Sequence, residues 1–243
     1  MGEAQPQQVS QTAGTRTLAI DIGGTGLKAS IIDEEGQMLT DRVRVPTPVG
    51  APPPKVVEVL AGLVAPLGDY QRVSVGFPGV IRNGRVRTAA NLGNEAWLGF
   101  DLTGALEAAL RKPVRVSNDA DLQGLAVIAG KGVEMVITLG TGFGTGLYLD
   151  GRPCAHLELA HHPFRHGETY EQQLGNAARK VVGGTRWNKR VKKAIDTLRR
   201  LTYFDHLYVG GGNAKKIDFA PDPDVTIVSN DAGMKGGIAL WRH

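Results

Sequence analysis

Two stretches of the chain are written to one plan. Leu18 to Asp33 reads LAIDIGGTGLKASIID, and Met135 to Gly151 reads MVITLGTGFGTGLYLDG. Each is an apolar run, a glycine turn and a second apolar run, which is the pattern of two buried strands joined by a tight turn. The segments around them follow the same plan. Strands are expected at Thr17–Gly24 and in KASIIDEEGQML, which turns at Glu35-Gly36 into a third strand. A helix opened by prolines (PPPKVVEVLA), a strand (RVSVGFPGV) and an amphipathic helix (LTGALEAALR) follow. The second half adds strand PVRVSNDA, helix DLQGLAVIAG, the second strand pair, a basic helix, strand DHLYVGGG, and a last strand and helix in VTIVSNDAGMKGGIALW. An α/β order written twice points to two similar domains facing across a cleft. We place them at residues 16–117 and 118–229, after a polar, disordered tail at 1–15.

Composition narrows the class. The chain is 42% hydrophobic and 21% charged, as in a water-soluble globular protein. No apolar run approaches the roughly 20 residues that span a bilayer. The first 16 residues lack the apolar stretch of a signal peptide. Cys154 is the only cysteine, which excludes an intrachain disulfide and a Cys-rich zinc site. The expected location is the cytoplasm, with no membrane partner. A net charge of +4 suits an anionic ligand and falls short of a nucleic-acid footprint.

The glycine turns carry the first chemistry. DIGGTGLK lacks the spacing of a dinucleotide fingerprint or a P-loop, and it leads into a strand rather than a helix. It offers backbone N–H groups, the Thr25 hydroxyl and Lys28 to phosphate oxygens. Asp21 would repel phosphate but can hold Mg²⁺, directly or through water. LGTGFGTG supplies a second such turn. Each alone is equally readable as a plain hairpin. Asn118-Asp119 stands at a strand end, where cleft residues collect, yet either side chain also suits a helix N-cap. Asp121 reads as an acid of the first helical turn.

Two segments remain open. LELAHHPFRHGETYE holds three of the six histidines, His161, His162 and His166, beside Glu158, Glu168 and Glu171. Its spacing matches no familiar metal site. Carboxylates there can accept from adjacent sugar hydroxyls, and a polar loop is the plain alternative. In RKVVGGTRWNKRVKKAIDTLRR, Trp187, Val191, Ala194, Ile195, Leu198 and Leu201 recur at helical spacing, with the basic residues mostly opposite. That basic face is a solvated surface or a track for a long anion. Trp97 reads as a packing residue.

LAIDIGGT, SNDADLQGLA, ITLGTGFGTGL and VGGGNAKK together resemble the ROK family of sugar kinases, within the actin-like ATPase superfamily. The GGGNAKK form and the NDAGMKGGIAL ending are most similar to its polyphosphate-using glucokinases. The resemblance implies two RNase H-like α/β domains around a central cleft, with a C-terminal helix (230–243) returning to the first. It implies Asp119 as general base, and Gly79, Asn91, Asn118, Asp119, Glu158, His161 and Glu168 on the sugar side. Gly23, Gly24, Thr25, Lys28, Gly140, Thr141, Gly142, Gly144, Gly211 and Gly212 would bind phosphate or nucleotide, and Asp21 would hold Mg²⁺. The implied reaction moves a phosphoryl group from polyphosphate or ATP to the 6-hydroxyl of glucose or a related hexose, in a homodimer. The family's Cys-rich zinc loop is absent, so no zinc site is expected, and His162 and His166 match no family role. Ala160 stands where the family usually has Gly. That departure keeps open a weakly active or inactive sugar sensor. The family's repressors carry a helix-turn-helix ahead of the first strand, and the 16 residues before Thr17 are too few for one.

Overall fold

A computed structural model describes residues 14–48, 50–89, 92–228 and 236–242. Strands Thr17–Ile22 (β1), Leu27–Ile32 (β2) and Val43–Val45 (β3) lead to helix Pro53–Val64 (α1) and strand Arg72–Phe77 (β4). A small hairpin, Ile81–Arg82 (β5) with Arg85–Val86 (β6), precedes helices Asn94–Trp97 (α2) and Leu102–Leu110 (α3) and strand Val114–Asn118 (β7). Helix Asp119–Leu125 (α4) starts directly from β7. Beyond it come Val133–Leu139 (β8), Phe143–Leu149 (β9), Arg152–Pro153 (β10), Pro163–Arg165 (β11) and Glu168–Thr169 (β12). Helices Tyr170–Leu174 (α5), Asn176–Val182 (α6) and Gly184–Thr202 (α7), strands His206–Gly210 (β13) and Val225–Ile227 (β14), and helix Gly236–Ala239 (α8) complete the described chain.

The two large sheets have one connectivity. The first runs β3-β2-β1-β4-β7 and the second β10-β9-β8-β13-β14. In both, the first three strands pair antiparallel and the last two join in parallel. Ile22↔Leu27 closes the first glycine turn and Leu139↔Phe143 the second, so the echo in the sequence is an equivalence of position. This is the duplicated α/β architecture of the actin-like ATPases.

Strands β1, β2 and β4 are buried almost without interruption, as sheets covered on both faces must be. One face of the first sheet packs α1 and α3 through Leu18, Ile20, Val56, Leu60, Val73 and Leu106. The other face takes the C-terminal segment. Ser74 Oγ donates to Gly237 O at 2.7 Å, Trp241 Nε1 donates to Ser74 Oγ at 2.9 Å, and Ile238 is buried with Ala19 and Ile32. Gly236 lets α8 meet α4, since a Cβ there would run into the Leu122 carbonyl oxygen. In the second core, Trp187, Val191, Ile195 and Leu198 of α7 cover Met135, Ile137, Leu207 and Val209.

Four local expectations change. After β2, Asp33 Oδ1 accepts from the backbone of Glu35 (3.1 Å) and Gln37 (2.7 Å), which stabilises a turn. Met38 then makes only an isolated bridge to Ile32, and the third strand begins at Val43. The helix that starts at Asp119 ends at Leu125 instead of running through VIAG. The basic stretch is two helices, because Gly183 at φ +78 breaks it. Leu201 is 60% exposed, a turn beyond the cluster that Leu198 closes.

This separation is measurable. Leu198→Ala should lower unfolding stability by about 2–5 kcal/mol, and Leu201→Ala should stay within about 0.5 kcal/mol of the parent in urea denaturation.

Candidate active site

The junction of β7 and α4 assigns the two roles that Asn118-Asp119 left open. Asn118 is the N-cap: its Oδ1 accepts from Ala120 N (2.8 Å) and Asp121 N (3.3 Å). Its Nδ2 donates to Gly79 O at 3.1 Å, tying the turn after β4 to the same point. Asp119 is therefore released from capping and lines a cavity of about 300 Å³ with Gly79, Thr88, Asn118, Glu158 and His161. Its Oδ1 accepts from Ala120 N at 2.8 Å.

Burial pushes the Asp119 carboxyl up to about 6. The Ala120 N–H pulls it back in part, and the Asp21 and Asp121 charges push the same way as burial. The end of β1 and the first glycine turn therefore lie within electrostatic reach of Asp119. Asp21 itself pairs with Lys28, Oδ2 to Nζ at 2.7 Å, across the β1–β2 register. Gly23 N donates to Gly26 O at 3.0 Å, the Thr47 hydroxyl holds the Gly23 carbonyl, and Gly24 and Thr25 are exposed at the tip.

The second turn is closed by Gly140 N to Gly142 O at 3.1 Å, with Thr141 exposed. Asn213 holds it from the end of β13, with its N on Leu139 O (2.8 Å) and its Nδ2 on Gly140 O (3.1 Å). Gly211 makes that approach possible: it sits at φ +87, and a Cβ would strike the Leu139 carbonyl. Gly140–Gly142 and Gly211-Gly212 thus form one surface. Gly144, at the start of β9, lines the cavity beside Ala120.

The histidine-rich stretch divides. Glu158, Ala160 and His161 line the cavity. Glu158 Oε1 accepts from Thr88 Oγ1 at 3.2 Å, and Glu158 Oε2 is 4.0 Å from His161 Nε2. Ala160 lies in a single 3₁₀ turn, Leu159–His161, outside the positive-φ residues, so its methyl brings no backbone strain. Glu168 is exposed on β12, accepts from Gln173 Nε2 and is not among the cavity-lining residues; Glu171 of α5 is. His162 is exposed, and His166 sits at φ +52 against Arg165 (2.9 Å). Asn91 lies outside the described residues. Trp97 is fully buried between Phe77 and Phe100. Among the described residues, no group of three or more His, Cys, Asp or Glu is placed to hold a metal ion by itself.

Two lining residues, Thr88 and His156, had no distinguishing signal in the sequence, and Glu171 stood in the histidine-rich stretch without an assigned role. His156 is the most consequential. It lies outside the cluster of three histidines that draws the eye, and its partner Asp121 is 35 positions away.

Duplicated sheets, a cleft carboxylate at a strand end and paired glycine turns define an actin-like phosphotransferase architecture. The ROK family model matches residues 17–161, and the chain belongs to that family. It is 32% identical over 225 residues to polyphosphate glucokinase of Mycobacterium tuberculosis, covering 87% of this chain and 84% of that one. The crystal structure of inorganic polyphosphate/ATP-glucomannokinase from Arthrobacter sp. strain KM superposes with a TM-score of 0.80 at 34% identity, over 95% of this chain and 100% of that chain. A ROK family glucokinase from Streptomyces griseus, in complex with glucose and AMPPNP, shares the fold with a TM-score of 0.67 at 20% identity, over 92% and 97% of the two chains.

The raised Asp119 pKa has a stability signature. Its ionised form costs more in the fold than in the unfolded chain, where a carboxyl titrates near about 4. The residue's contribution is therefore full below about 4 and is lost as pH rises through about 6. Asp119→Asn should raise Tm at pH 8 and leave it nearly unchanged at pH 4, as read by calorimetry.

Proposed function

We propose that the chain is a sugar kinase that moves a phosphoryl group from polyphosphate or ATP to the 6-hydroxyl of glucose, with Asp119 as general base. The observation that carries this reading is Asp119 itself. It lines the cavity with Gly144, Glu158 and His161, and it feels the charge of Asp21 at the first glycine turn. The sugar oxygen attacks the terminal phosphorus. The bond from phosphorus to the rest of the donor breaks, the departing oxygen keeps the electron pair, and the hydroxyl proton passes to the Asp119 carboxylate. A base titrating near 6 is mostly ionised at neutral pH and still basic enough to take that proton. Glu158 and His161 orient the sugar. Asn118 holds Gly79 in place through its amide, and the two turns with Gly211 and Gly212 receive the phosphates.

Asp21 fits a Mg²⁺ site of the one-carboxylate kind, which is completed by water and the donor's phosphates. Its side chain is 40% exposed, and Lys28 engages only one of its oxygens. An ion held by Asp21 would supply positive charge to offset that of the donor. Lys28 then serves both the carboxylate and the phosphate chain.

Polyphosphate is favoured as donor by the exposed basic face of α7, which carries Arg186, Lys189, Lys192, Lys193 and Arg200. Lys215 and Lys216 follow the glycines of the β13 end, and Lys216 O accepts from Asn188 Nδ2 of α7 (3.1 Å), so the two basic groups adjoin. Domains at 16–117 and 118–229, a homodimer and a cytoplasmic location belong to the same proposal. No helix among the described residues is long and apolar enough to cross a membrane.

Coupled detection of glucose 6-phosphate tests the reaction. Turnover is expected with glucose, Mg²⁺ and either donor, and Asp119→Ala should reduce kcat by about 10²–10⁴-fold. The wild-type kcat/KM should fall as pH drops below about 6. Sugar binding without turnover of glucose or other hexoses would replace the kinase by a sensor. The double variant Lys189→Glu, Lys193→Glu should raise KM for long polyphosphate and leave KM for ATP unchanged.

A further inference from the structure

We propose that Asp121 and His156 form a buried positioning pair that orients Glu158 toward the sugar, with His156 as a determinant of sugar affinity. This rests on the reading of the cavity as a sugar site and adds two residues to it.

Asp121 is anchored from three sides. Its N–H is capped by Asn118 Oδ1 (3.3 Å), its carbonyl accepts from Tyr148 Oη (2.7 Å), and its Oδ2 lies 2.9 Å from His156 Nδ1. Both side chains are nearly sealed, 8% exposed for Asp121 and 9% for His156. A carboxylate this buried requires a hydrogen-bonding partner. The bond also decides the imidazole's arrangement: Nδ1–H donates to Asp121, and Nε2 is left pointing elsewhere. It points to Glu158, whose Oε1 is 3.9 Å away. That same oxygen accepts from Thr88.

Electrostatics favours the same assignment. Asp119, Asp121 and Glu158 all act on the imidazole. Burial works against its charged form, but those three carboxylates outweigh burial and leave His156 easier to protonate than a free histidine. With Nδ1 held by Asp121, Nε2 is turned toward Glu158, and a carboxylate fixed in this way can accept from two sugar hydroxyls at once. The ring is also a wall. It faces both the sugar cavity and a second one of about 250 Å³ lined by Arg82, Ser117 and Cys154. A side chain serving only to fill space would have no need of the Asp121 bond.

The experiment measures hexose Kd by calorimetry, together with KM for glucose and for the donor. The proteins are the wild type, His156→Asn, His156→Gln, Asp121→Asn and the double variant His156→Asn, Asp121→Asn. Asparagine keeps a donor near Nδ1 but cannot reach Glu158, whereas glutamine extends an N–H toward it. We expect His156→Asn and Asp121→Asn each to weaken glucose Kd and raise glucose KM by about tenfold, because Glu158 loses the neighbour that orients it. Donor KM should be unchanged, His156→Gln should recover part of the loss, and the double variant should be no worse than either single one. A folded His156→Asn or Asp121→Asn protein with wild-type glucose Kd and KM would overturn the pair while leaving the kinase intact. A wild-type protein that binds no hexose would overturn the sugar site and the pair with it.

Discussion

One amide holds the site together. The Asn118 side chain caps α4 with its oxygen and fastens the Gly79 turn with its nitrogen. Because β7 runs straight into α4, the cap determines the direction in which the helix leaves the first sheet. That helix then packs against β8 and β9 of the second sheet and against α8. The separation of the sheets and the position of Asp119 therefore rest on the same junction. A cap is an inexpensive device on any helix. Here it also frees the next residue to face the cavity.

The cavity gathers negative charge against its own stability. Asp21 and Asp121 act on Asp119 and Glu158 acts on Asp121, while Lys28 pairs with Asp21 and His156 with Asp121. Burial raises the proton affinity of Asp119 and of Asp121, but their surroundings differ. Asp121 is tied to His156 and closed off. Asp119 has only a backbone N–H and an open cavity before it. Two acids two residues apart on one helix are given different surroundings by what packs against each. Raised proton affinity at a cleft carboxylate marks a functional site more often than a structural one.

Much of this was legible in the residues. The twin apolar–glycine–apolar stretches encode strand pairs with short turns, because glycine and strand periodicity act locally. The shared strand order also needs the parallel joins of β1 to β4 and β8 to β13, which pair residues 55 and 72 positions apart, as in Thr17↔Arg72 and Glu134↔His206. Asp119, the two turns and Glu158 with His161 stood in motifs that could be quoted. Leu201 misleads in an instructive way, and Glu168 is placed apart from the other residues quoted with it. Glu168 matches a family position, but it lies on a short exposed strand while Glu171, one helical turn on, faces the cavity. Leu201 obeys the helical period, yet α7 has outrun its core. Periodicity reports which face a residue is on, and it does not report where the neighbouring sheet stops.

The chain's own letters determined the duplicated α/β plan, the glycine turns and the carboxylate at the end of β7. The strand–turn–strand units within that plan depend on contacts between residues close in sequence. Tertiary structure alone decided which of Asn118 and Asp119 caps and which faces the cavity. It also decided that Asn213 braces the second turn, that Ala160 takes an unstrained φ, and that His156 meets Asp121. Those outcomes depend on burial and on pairs 35 to 73 positions apart, as for Asp121 with His156 and Gly140 with Asn213. No local pattern records what will exclude water from a side chain, and exclusion of water is what gives these groups their chemistry.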